Sequence, residues 1–108
     1  MELIKLENLP VIIENDNFYA RKVLENADVK VMNISVKPGG KVPEHSVPVH
    51  VFFYVVGGKG SIQIGDEVRE VTAGDIIVCP ADTEMALFAD KDSELVVLNV
   101  KTPSYNPV

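Results

Sequence analysis

The chain has a single cysteine, Cys79, so no intramolecular disulfide can brace it. A lone thiol suits a reducing compartment. No apolar run approaches the roughly 20 residues that span a bilayer. The longest strongly apolar stretch, Val47 to Val56, is broken by Pro48 and His50. The start, Met1-Glu2-Leu3-Ile4-Lys5, lacks the basic segment and apolar stretch of a secretory leader. The expectation is a soluble, cytoplasmic protein. Basic clusters are missing too: 16 Asp and Glu outweigh 10 Lys and Arg, for a net charge of −6. Such a chain makes a poor ligand for phosphate backbones or anionic lipid, which argues against nucleic-acid and membrane partners. There is no G-x-S-x-G elbow, no cysteine pair, and no glycine-rich phosphate loop leading into a helix. No window sustains a helical period, so at most one short helix is expected.

What remains is a sheet-forming composition. The 108 residues suit one domain, and 46% hydrophobic content can fill a core. Valine and isoleucine dominate the apolar set, and β-branched side chains suit pleated surfaces. Apolar runs recur at roughly ten-residue intervals between turn residues, as in sandwiches and barrels. Candidate strands are residues 19–25, 29–36, 49–56, 61–64, 67–71, 76–79, 85–88 and 95–100, with a shorter one near 3–6 or 11–13. Asn26-Ala27-Asp28 and Gly65-Asp66 read as hairpin turns. Pro38-Gly39-Gly40, Gly57-Gly58-Lys59-Gly60 and Ala89 to Ser93 read as further reversals. The whole chain, 1–108, reads as one domain with a barrel core over about 19–100. The proline-containing tail 101–108 is read as extended.

The only histidines, His45 and His50, stand in Pro43-Glu-His-Ser-Val-Pro-Val-His50, just before the most apolar strand. On spacing alone they are ordinary partly buried histidines or a pair of metal ligands. Gly39, five residues, His45 and then Gly58, followed by Gly74-Asp75 and Pro80, match the spacing of two motifs, and together they resemble the cupins. The first motif reads Gly, five residues, His-x-His, three or four residues, Glu, six residues, Gly. The second reads Gly, five residues, Pro-x-Gly, two residues, His, three residues, Asn. The resemblance implies an all-β fold, a double-stranded β-helix or jelly-roll barrel of two antiparallel sheets, assembled as a homodimer with the N-terminal segment 1–18 at the subunit interface.

The same resemblance places the family's four metal-ligand positions on His45, Val47, Val51 and Met85. The Gly of Pro-x-Gly is Asp82, and the closing Asn is Ala89. Valine offers no lone pair, and a thioether is a soft, weak ligand. The expected cofactor is therefore none, with a divalent transition metal on His45 and His50 as the alternative. Glu44, Glu84 and Cys79 are the other donors nearby. The leading functional reading is a barrel that binds a small organic molecule without turnover, in a pocket of His45, Val47, Val51, Met85 and Tyr54. Two alternatives stand beside it: a metal-dependent dioxygenase or isomerase, and a structural domain whose barrel is filled and dry. Alternation puts Phe52 and Tyr54 on one face of their strand and Phe53 on the other, and leaves open which face lines the barrel.

Overall fold

A computed structural model describes residues 1–106. Pro107 and Val108, the end of the expected tail, lie outside the described residues. One 3-10 turn, Leu6–Asn8, precedes nine strands: β1 (Ile13–Glu14), β2 (Phe18–Glu25), β3 (Lys30–Val36), β4 (Lys41–His45), β5 (His50–Ile64), β6 (Glu67–Thr72), β7 (Ile76–Cys79), β8 (Met85–Ala89) and β9 (Leu95–Thr102). Among the described residues no helix is long and apolar enough to cross a membrane.

All pairings are antiparallel. The first sheet runs β1-β2-β3-β9-β5-β7 and the second β4-β8-β5-β6, so β5 belongs to both. The first half of β5 pairs with β9 and β7, and the second half with β8 and β6. The hairpin turns follow from local chemistry. Asn26 Oδ1 accepts hydrogen bonds from the amides of Asp28 and Val29 at 2.8 and 3.1 Å. An Asn that replaces backbone acceptors in this way closes a tight turn by itself.

Residues 57–60 correct the sequence-based expectation. They form no reversal; they lie inside the 15-residue β5, at the corner where it leaves one sheet for the other. The register slips between Val55 and Gly57. Inward positions are therefore odd before the corner (Val51, Phe53, Val55) and even after it (Gly60, Ile62). Inserting one residue into a ladder changes the parity in this way and bends the strand. Gly58 is required there: its φ is 77°, and a Cβ would lie 1.8 Å from the Glu94 carbonyl oxygen. β4 is a second departure, a strand where no strand was expected. With only Val42 apolar and Pro43 in its middle, its character comes from pairing with β8.

The core is one cluster between the sheets, built on Met32, Ile34, Phe53, Val55, Ile62, Leu87, Leu95 and Val97, each 2% exposed or less. The opposite face of the first sheet is also apolar but open: Phe52, Tyr54, Val56, Ile76 and Val78 are 38 to 68% exposed. At the other end of that sheet Arg21 ties the N-terminal segment down. Its Nε donates to the Leu9 carbonyl at 3.0 Å and its Nη1 to Asn33 Oδ1 at 3.3 Å. Residues 13–18 thus join the barrel's own sheet through β1 and the start of β2.

Candidate functional site

A cleft of about 520 Å³ opens where the free edges of the two sheets, β1–β2 and β4, face each other. Ile13, Phe18, Ile34, Val42, Phe53 and Leu87 supply apolar walls, and Asn15, Asn17, Lys41, Glu44, His45 and Asn99 the polar groups. The size and the mixture are those of a small-molecule site.

His45 reaches this cleft from the last residue of β4, half-buried. Its Nδ1 lies 3.0 Å from the Pro43 carbonyl oxygen. A carbonyl only accepts, so Nδ1 carries the hydrogen and Nε2 of the neutral ring is left as an acceptor or base. Glu44, beside it, accepts a hydrogen bond from Gln63 Nε2.

The structure separates the other sequence-selected residues from the cleft. Val47, Val51 and Met85 are buried in the core cluster at 6, 2 and 0% exposure and do not line the opening. Met85 is the cross-strand partner of His45, and Val51 that of Cys79. Tyr54 stands on the open outer face, opposite the inward Phe53 and Val55, and is paired with Leu98 and Ile76. His50 is exposed at the start of β5, paired with Thr102, and by alternation points away from the buried Val51. No bulge intervenes between His50 and Val51 to turn the ring inward.

Cys79 is 1% exposed, and its Sγ lies 3.6 Å from the Thr83 carbonyl oxygen. Burial pushes its thiol pKa up, so it behaves as a small core residue and not as a thiolate. Asp82 occupies the glycine position of the second motif's Pro-x-Gly and keeps a glycine-like backbone: φ is 60°, and its amide donates to the Val47 carbonyl at 2.8 Å. Aspartate tolerates the left-handed region better than most residues. The substitution therefore preserves the turn.

The donor set does not fit a transition-metal ion. The four positions implied by the resemblance offer one imidazole and one buried thioether, His50 faces outward, and transition-metal sites take three or more N, O or S donors. Among the described residues, no group of three or more His, Cys, Asp or Glu side chains comes together.

Sequence reasoning missed Asn99, Phe18 and Ile13. Asn99 had a signal: alternation from Leu95 and Val97 puts it inward on an otherwise apolar strand, and it is 1% exposed. Phe18 and Ile13 had none, because their place at the cleft depends on how the first two strands fold over the barrel edge.

Comparison with known proteins agrees with this architecture. KdgF from a Halomonas species superimposes with a TM-score of 0.87 at 18% identity, covering 98% of this chain and 96% of that one. An RmlC-like cupin from Shewanella frigidimarina gives 0.87 at 14% identity, with 98% and 94% coverage. The polyketide cyclase RemF from Streptomyces resistomycificus gives 0.85 at 18% identity, with 99% and 82% coverage. At these identities the likeness is one of fold. A search of curated proteins finds no match to the chain. The family model described as a cupin domain matches residues 32–101, from β3 through β9, which is most of the chain and includes both motif regions; the protein belongs to the cupin family.

Proposed function

We propose that this cupin binds a small organic molecule in the cleft beside His45 and does so without turnover. The observation that carries the reading is the cleft itself: about 520 Å³, apolar on most of its wall, with His45 Nε2 on one sheet and the Asn99 amide on the other. A guest with one hydrogen-bond donor and one acceptor on an apolar body meets both groups at once. A filled, dry barrel would leave no such opening, which favours binding over a purely structural role. The donor set speaks against metal chemistry as the reason for the site, since Val47, Val51 and Met85 contribute to the core and offer no hard ligand. With Cys79 protonated and buried, the only basic nitrogen facing the cleft besides Lys41, among the described residues, is His45 Nε2, a group suited to orienting a guest.

An NMR screen with a panel of small aromatic and aliphatic fragments tests this. Amide shifts should cluster on Phe18, Ile34, His45 and Asn99, and a His45→Gln variant should weaken binding by about tenfold, the value of one well-made hydrogen bond to a partly buried group. Shifts confined to the outer face of Phe52, Tyr54 and Val78, or none at all across the panel, would refute the reading.

A further inference from the structure

The inward positions of β9 run Leu95, Val97, Asn99, Lys101. The last is a lysine with 0% exposure, and its cross-strand partner is a second buried lysine, Lys30, at 6%. Two ammonium groups inside a barrel lose hydration and repel each other, and folds keep such groups only where something compensates them. Here the protein's own compensation is slight. Lys101 Nζ donates to Asn99 Oδ1 at 3.0 Å, and Lys30 Nζ donates to Asn106 Oδ1. Among the described residues neither lysine enters an ion pair. Glu25, directly across from Lys30, is bonded to Lys22 at 3.4 Å and interacts with the Lys30 charge without a direct ion pair. Burial, with Lys30 adding to it, holds the Lys101 amine down at about 8, which leaves it mostly charged at neutral pH.

This charge stands directly behind the cleft. Lys101 takes the oxygen of Asn99, so the amide nitrogen is turned away from it, and Asn99 lines the cavity. Among the described residues no hydrogen bond uses that nitrogen as a donor. The one carboxylate on the lining, Glu44, belongs to the other sheet and is engaged by Gln63.

We infer that the cleft takes an organic anion, a small carboxylate on an apolar body, whose head lies on the Asn99 amide with the Lys101 ammonium behind it. This rests on the binding reading above and adds the charge of the guest. The apolar body follows from Ile13, Phe18, Ile34 and Phe53, and the negative head from Lys101, a buried cation with no ion-pair partner among the described residues. Lys101 is a positioning residue: it orients the amide and supplies the field without touching the guest.

Benzoate and benzamide share a ring and a planar head and differ in charge, so NMR titration with the two probes at pH 7 isolates this inference. The native protein should bind benzoate about tenfold or more tightly than benzamide, the size expected when a hydrogen bond becomes charge-assisted. In Lys101→Met, which keeps the shape and removes the charge, the ratio of the two affinities should fall toward one. Asn99→Asp pairs its own carboxylate with Lys101, so it should fold and lose benzoate binding. Equal affinity for both probes in the native protein, a preference surviving in Lys101→Met, or undiminished benzoate binding by Asn99→Asp overturns the inference and leaves a neutral-ligand cleft standing. If neither probe shifts any cleft resonance while other fragments of the panel do, the inference falls and the binding reading stands.

Discussion

Around Val47, Val51, Cys79 and Met85 the barrel interior is closed, with exposures of 6, 2, 1 and 0%, whereas between β2 and β4 it opens to about 520 Å³. Both regions lie between the same two sheets and share His45 and its partner Met85 at their border. The difference follows from the side chains. Where the motif positions carry valine and methionine, the space has collapsed into core, as apolar groups do when they can reach one another. Where histidine and asparagine face inward, and where residues 13–18 fold over the edge without filling it, the space stays open and polar at two points. In this barrel three of the four positions that the resemblance assigns to metal ligands serve packing, and the opening lies beside the fourth, toward the sheet edge.

The largest effect is expected in the closed region. Met85→Ala, at a position with no exposure, should cost about 2–5 kcal/mol in urea unfolding. A loss under about 1 kcal/mol would mean that the region is loosely packed and would erase the contrast.

Next comes Lys101, which lies between the two regions. Lys101→Met should raise stability at pH 7 by about 1 kcal/mol or more, because it removes a buried cation that has no ion-pair partner among the described residues. The sign of the pH dependence agrees. The folded amine holds its proton only up to about 8, while the unfolded chain holds it up to 10.5. Between those values the unfolded state binds more protons, so stability from this group rises with pH across that window and is lowest below it. Calorimetric melts from pH 7 to 10.5 should show the rise in the native protein and lose it in Lys101→Met.

In the open region the effects should fall on binding. His45→Gln should change unfolding free energy by less than about 1 kcal/mol while weakening fragment binding, since the ring is half-buried and has one hydrogen bond to the chain. A large stability loss would assign His45 to the core. The smallest effect belongs outside the barrel: Val78→Thr, at a position 68% exposed, should stay within about 0.5 kcal/mol and leave probe binding unchanged.

Much of the fold was legible because its signals are local. Ile76–Cys79 is a short β-branched run between turn residues, and Gly65 with Asp66 closes a hairpin whose glycine has φ 58°. The Gly57–Gly60 corner was not legible, since glycines mark a turn and a bulged strand with the same letters. What decides between them is the approach of the Glu94 and Phe88 carbonyls, distant in sequence. β4 was hidden for a related reason: its residues have little sheet preference, and β8 supplies it. In the site, the motif spacing singled out His45, while part of the cleft wall, Ile13 and Phe18, comes from β1 and β2, outside both motifs. Asn99 and Lys101 obeyed the alternation of β9, but a polar pair at the end of an apolar strand reads most simply as the point where the strand leaves the core.

The 15-residue β5 has a consequence for how this protein comes apart. Its first half is hydrogen-bonded into one sheet and its second half into the other, with strand partners on both sides along most of its length. Neither sheet can melt while the other survives, because the shared strand would have to fray from its middle. Amide hydrogens at Val51 and Ile62, on opposite sides of the corner, should therefore exchange through one common opening event, with the same free energy as global unfolding.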